Sequence, residues 1–275
     1  MVACAHAYTS PRPPIVSGNW KMNPGSASAA SELASGLRAP PAGREVVVFP
    51  PSCFLAEVAS AAPDEVTIGA QDAYTLADAG AFTGEVSLPM LDSLPVDYVL
   101  AGHSERRSIF DDDDTAINEK VRAALDAGFK VMLCIGETQH EYELGITDDI
   151  NAVQLAKDLE GVTADQMNSV VIAYEPVWAI GTGLTCPPKV ANKVHKAIRA
   201  RLASMYGGAT ADGMRILYGG SVTPPTIDAL MAQPDVDGVL VGGASLNAES
   251  FGAIANFHEG WWRTRSVLKR LAFWR

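Results

Sequence analysis

VVIAYEPVWAIGTGLTCPPKVANKVHKAIRARL, residues 170–202, holds three kinds of chain in one stretch. Residues 170–173 are apolar at every position, as expected of a strand covered on both faces. Glu175-Pro176-Val177-Trp178 follows, then the small-residue tip Ala179-Ile180-Gly181-Thr182-Gly183. Further on, Val190, Val194, Ile198 and Leu202 step by four with lysines and arginines between them, which predicts an amphipathic helix.

The same order of strand, loop and helix recurs along the chain. Short apolar runs occupy residues 15–19, 46–49, 66–69, 98–101, 131–135, 215–218 and 238–241 as well. Helical patterns lie between them, as where Ile117, Val121 and Leu125 step by four. Eight repeats with no Pro/Ser linker predict one parallel α/β domain, a single (β/α)8 TIM barrel. An open doubly wound sheet is the alternative, but no G-x-G-x-x-G follows the first run and no Walker loop is present. The expected division is a flexible segment at 1–14, a catalytic barrel at 15–260 and a basic aromatic tail at 261–275.

Composition narrows the function. The chain has 275 residues, 48% hydrophobic and 19% charged, and no apolar run approaches the ~18–20 residues of a membrane helix. A net charge of −11 argues against nucleic acid as a partner. Cysteines at 4, 53, 134 and 186 form no C-x-x-C pair and have no histidine at zinc spacing, so no metal site is expected and a reducing compartment is. The opening MVACAHAYTSPRPP is too short and too weakly apolar for a secretory signal; it reads as a flexible start, with a transit-peptide remnant as the alternative. The expected location is therefore soluble and cytoplasmic, with a plastid or other organelle as the alternative. The tail WWRTRSVLKRLAFWR carries five Lys/Arg and no acid, so residues 1–260 hold −16. Its preferred reading is a helix docked on the acidic body, with contact to a membrane or partner protein as the alternative. The acidic run at 111–114 reads as a helix N-terminal cap on a solvated face.

Barrel enzymes carry their chemistry at the carboxyl ends of the strands. Ionisable groups fall at the first, fourth, fifth and sixth of these ends, and glycine pairs at the seventh and eighth. Glu175, flanked by bulky apolar groups, suits proton abstraction because partial desolvation raises a carboxylate's basicity. His103 lies between a strand and a helix start, where the N–H dipoles disfavour imidazolium; a neutral ring there polarises a carbonyl by donating a hydrogen bond. Lys21 is a counter-ion for an anionic substrate or developing oxyanion, with Asn19 facing the same space. The stiff apolar start and small tip of 176–183 describe a lid that moves as a unit and brings Ile180 over the site. Gly181, Ser221, Gly242 and Gly243 offer backbone and hydroxyl donors for a phosphate. Each feature also has a plainer structural reading. Together they describe proton abstraction beside the carbonyl of a phosphorylated sugar.

GNWKMN (18–23), GAFTGEVS (80–87), AGHSERR (101–107), CIGET (134–138), AYEPVWAIGTG (173–183), ILYGGSV (216–222) and DGVLVGGASL (237–246) resemble motifs of the triosephosphate isomerase family, in its order and near its spacing. The resemblance runs from about Ile15 to Phe257. It implies cofactor-free interconversion of dihydroxyacetone phosphate and D-glyceraldehyde 3-phosphate through an enediolate, in glycolysis, gluconeogenesis or carbon fixation. It implies Glu175 as base, His103 as neutral electrophile and Lys21 as electrostatic stabiliser beside Asn19, with Gly181, Ser221, Gly242 and Gly243 on the phosphate. Glu105, Ser104 and Cys134 would support these groups, while Ile180 and Leu240 would press on Glu175 when the lid closes. It further implies a homodimer in which Thr83 and Glu85 belong to the contact loop. Departures are Leu184 where the family has lysine, and 139–150, which lacks the family's arginine and is nearer to algal forms. The alternatives are an isomerase of a related tetrulose phosphate and a noncatalytic paralogue acting through the tail.

Overall fold

The computed structural model describes residues 12–181 and 185–258. Eight strands, β1 (Ile15–Asn19), β2 (Glu45–Phe49), β3 (Val66–Ala70), β4 (Tyr98–Ala101), β5 (Lys130–Ile135), β6 (Val170–Tyr174), β7 (Arg215–Tyr218) and β8 (Gly238–Val241), form a closed parallel barrel. The barrel shuts where Ile15 pairs with Gly238. The open-sheet alternative is excluded.

Side chains alternate along each strand, and the alternation divides the core in two. Ile15, Met132, Cys134, Val171, Ala173, Leu217 and Leu240 belong to the cluster inside the barrel. Val16, Val131, Leu133, Val170, Ile172 and Tyr174 pack outward under the helices. Both faces are dry, so both parities are apolar. On β6 the inward set is 171 and 173, and the next member is Glu175.

The helices follow their predicted periods. Asp114–Asp126 buries Ile117, Val121, Ala124 and Leu125, and Pro188–Tyr206 buries Val194, Ile198 and Leu202. The acidic run needs correcting in part. Asp113 caps its helix by accepting from Ala116 N–H, as expected. Its neighbours are not simply solvated: Asp112 takes a fork of two bonds from Arg106 and a third from Lys120, and Asp114 pairs with Arg107 and Lys157. Residues 1–11 of the segment expected to be flexible, and the whole tail at 261–275, lie outside the described residues. Ordered contacts already begin at Arg12, which donates to Asp237, and Pro14, whose carbonyl accepts from Glu45 N–H. Among the described residues no helix is long and apolar enough to cross a membrane, and no group of side chains has the makings of a metal site.

His195 is fully buried in the long helix, edge-on to Tyr174, with its Nδ1 3.2 Å from the Asp235 carbonyl. Burial pushes its pKa down to about 4. The unfolded imidazole takes up its proton near 6.5, well before the folded one does, so protonation favours unfolding across that interval. Stability should therefore fall as pH drops from 6.5 toward 4, by up to about 3 kcal/mol from this one group. Urea titrations of His195→Gln beside the native chain should show a shallower fall over the same range.

Candidate active site

Glu175 extends the β6 ladder by one step: its N–H donates to Ile135 O at 2.7 Å, and Gly219 N–H donates to Tyr174 O at 2.7 Å. That keeps its side chain on the inward parity, only 2% exposed. A carboxylate buried without donors would be costly, and here both oxygens are met. Oε2 accepts from Ser104 N–H at 2.8 Å, and Oε1 lies 3.1 Å from His103 Nε2.

His103 is the N-cap of the helix Ser104–Ile109, and its Nδ1 accepts from Glu105 N–H at 3.2 Å. An Nδ1 that accepts leaves the ring proton on Nε2, the nitrogen that faces Glu175. Beneath them the buried Cys134 thiol has its pKa pushed well up by burial and by the adjoining Glu175 carboxylate. Cys134 is thus a neutral floor.

Lys21 sits just past β1 with φ +53°, a left-handed turn fixed by its N–H to Asn19 Oδ1 and by its carbonyl, which accepts from Gln71 Nε2. Its ammonium is 2.6 Å from Glu105 Oε1, whose carboxylate also stands 3.7 Å from His103 Nδ1. Glu105 therefore links the lysine and the histidine. Gln71 bonds Phe49 O as well, stitching the first three strand ends together. As an uncharged amide it stands out less in the sequence than the ionisable groups at the other strand ends.

Lys21, His103 and Glu175 open on one cavity of about 300 Å³, which Asn19, Ile180, Gly181, Ser221, Leu240, Gly242 and Gly243 also line. Gly219 and Gly220 line it too, so both glycine pairs border the same space as the ionisable groups. At Gly219 the reason for glycine differs from close approach to phosphate: a Cβ there would stand 2.8 Å from Glu175 Cγ. Glycine makes room for the carboxylate's own stem.

The segment expected to act as a lid begins as a 3-10 turn over Val177–Ala179. Trp178 is buried, donates its Nε1–H to Glu137 at 2.8 Å and is stacked on Tyr142 at 4.3 Å between ring centres. Glu137 is fully buried, accepts from Tyr174 O–H too, and has its pKa raised by burial. This anchor was also missed, since its partners lie 37 and 41 residues away. Ser221 Oγ–H donates to Ala179 O at 2.9 Å, so that hydroxyl holds the lid's first turn here. Thr182, Gly183 and Leu184 lie outside the described residues. Thr83 and Glu85 are apart from the cavity, on an exposed loop where Phe82 leans on Tyr74.

A family model described as triosephosphate isomerase matches residues 14–258. Relatives named triosephosphate isomerase include one from Clostridium acetobutylicum, 47% identical over 249 residues, covering 90% of this chain and 100% of that protein. Another, from Chloroflexus aurantiacus, is 48% identical over 250 residues, covering 90% and 99%. A third, from Syntrophotalea carbinolica, is 45% identical over 249 residues, covering 90% and 98%.

Gly136 at the end of β5 gives the sharpest steric test of this geometry, because a Cβ there would lie 1.8 Å from Glu175 O. Gly136→Ala must displace one chain or the other. It should cost about 1–3 kcal/mol of stability and reduce kcat by about tenfold or more through misplacement of Glu175. Thermal melts and steady-state rates on the same sample check both.

Proposed function

The chain belongs to the triosephosphate isomerase family and interconverts dihydroxyacetone phosphate and D-glyceraldehyde 3-phosphate; we propose that it does so through an enediolate, with Glu175 moving the proton between the two carbons. The observation that carries this is the convergence of His103 Nε2 and Ser104 N–H on the two oxygens of a buried carboxylate at the cavity mouth.

The chemistry follows from that arrangement. Glu175 takes a proton from the carbon next to the carbonyl, and the electron pair left behind moves onto the carbonyl oxygen. His103 donates from Nε2 to that oxygen, and being neutral it does so without trapping the intermediate as an imidazolium salt. The substrate oxygen takes the place of Glu175 Oε1 beside His103 Nε2, so binding frees the base as it engages the acid. Lys21 offsets the developing charge and Asn19 fixes the lysine's turn. Glu175 then returns its proton to the carbon that bore the carbonyl, while the hydroxyl oxygen on the other carbon gives its proton to His103 Nε2 and becomes the new carbonyl, which restores the neutral ring. The product is an isomer with no net change of oxidation state, so the reaction calls on no redox cofactor. Gly181, Ser221, Gly242 and Gly243 hold the phosphate, with Ser221 exchanging its bond to Ala179 as the lid moves. Closing brings Ile180 and Leu240 against the carboxylate and dries it. This proton-tuning and lid-closure scheme is general to the family.

We also infer a homodimer. Met22 is 93% exposed, and with Phe110 and Arg106 it lines a cavity of about 230 Å³ that reaches Lys21. A second copy's loop at 80–85, carrying Thr83 and Glu85, fits that position and would cover apolar surface a monomer leaves wet. The free thiols Cys53, Cys134 and Cys186 support a reducing compartment, the cytoplasm.

Incubating the protein with dihydroxyacetone phosphate in D2O should give aldehyde product and deuterium at carbon one. Glu175→Gln should lower kcat by about 10²–10⁴-fold with KM nearly unchanged, as loss of a base alone requires; a near-native rate would refute the assignment. Lys21→Met should harm kcat and KM together, as a cation serving both ground and transition states. If only its melting temperature moved, Lys21 would be structural. Light scattering during size exclusion should return twice the chain mass, and Thr83→Arg should halve it.

A further inference from the structure

Beyond Leu133, β5 loses its neighbour on one side. β4 pairs with it only as far as Ala101 and Leu133, and then turns away at Gly102 with φ +71°. On its other side β5 keeps its ladder going past the strand: Ile135 O accepts from Glu175 N–H at 2.7 Å, and Glu137 O accepts from Val177 N–H at 3.2 Å. The peptide groups of Cys134 and Gly136 alternate with these and face the side β4 has left. Side chains take the place of the missing strand there. Arg107 donates to Cys134 O at 3.1 Å. Gln154, from the helix Thr147–Asp158, makes two bonds to one residue: its Oε1 accepts from Gly136 N–H at 2.8 Å and its Nε2–H donates to Gly136 O at 3.2 Å.

We infer that Gln154 is a positioning residue for the isomerase reaction, a side-chain amide that replaces a strand and fixes Gly136 so that Glu175 and the lid's first turn are held at the cavity mouth. A primary amide carries one acceptor and paired donors, which match the N–H and C=O of a single extended residue. Gly136 is bracketed by the two ladder bonds that seat Glu175 and Val177, and its Cα lies directly against the Glu175 carbonyl. Freed from Gln154, the Gly136 peptide would have an unpaired donor and acceptor in a half-buried place and would turn to find others. The base would move with it. Gln154 touches no reacting group on its own account; it acts through Gly136.

The inference rests on Glu175 being the base, and the test separates the two. Gln154→Met keeps length and removes both hydrogen bonds. In the full-length chain it should lower kcat by about ten- to a hundredfold, the scale of a small misplacement of a catalytic group, with KM within about twofold. Amide exchange at Gly136 and Val177, followed by NMR, should quicken at least tenfold in the same variant. In a Glu175→Gln background the further loss from Gln154→Met should vanish, because no base is left to misplace. An equal fold loss in both backgrounds, a change in KM alone, or unaltered exchange at Gly136 would overturn it. Should Gln154→Met fail to fold, Gln154→Glu keeps one acceptor and loses the donor, and is judged by the same three readouts. A native chain without turnover would count against the base assignment, while the exchange data would still decide the amide's hold on Gly136.

Discussion

Alternation of side chains along eight strands that close on themselves is the constraint behind everything else in this molecule. Once Ile15 pairs with Gly238 the register has no slack, and each strand must send one parity inward and the other beneath the helices. The residues just past the carboxyl ends inherit that parity. Glu175 continues the inward set of 171 and 173, and Gly219 continues that of Leu217. The active groups converge because the core beneath them is fixed, and no long loop is needed to reach the centre.

A second layer of order is electrostatic and local. Glu175 is dry, yet both its oxygens face polar nitrogens, and those nitrogens belong to one short segment, His103-Ser104. Lys21 is balanced by Glu105 from the same helix start. Each charge in the cavity is therefore matched within a few ångströms by a group the substrate can replace or borrow. The site holds its charges paired, and reaction consists in exchanging partners.

Much of this was legible in the sequence, for a physical reason. Strands covered on both faces are apolar at nearly every position, so the runs stand out even where β1 carries buried Ser17 and Asn19, and the step of four at 117, 121 and 125 marks a buried helical face. Ionisable residues at strand ends are costly unless used, which exposes Lys21, His103 and Glu175. The supporting amides are another matter. Gln71 and Gln154 act by matching backbone donors and acceptors of residues 22 to 50 positions away or 18 away, and an amide side chain looks the same in the sequence whether it meets a peptide or water. Glu137 hid behind its distant aromatic partners. Asp112 and Asp114 looked solvated because Arg106, Arg107 and Lys120 reach them only once the helices are in place. Propensity and period report on burial; they do not report on pairing.

The closing seam also governs how the molecule comes into being. β1 needs β8, which lies at the far end of the described chain, and Arg12, just before β1, bonds Asp237 at the threshold of β8. During synthesis β1 must wait with one edge unmatched until β8 has left the ribosome. Contacts this remote in sequence slow folding and leave an adhesive edge open meanwhile. The nascent protein is thus open to association with its neighbours from the emergence of β1 until β8 pairs with it.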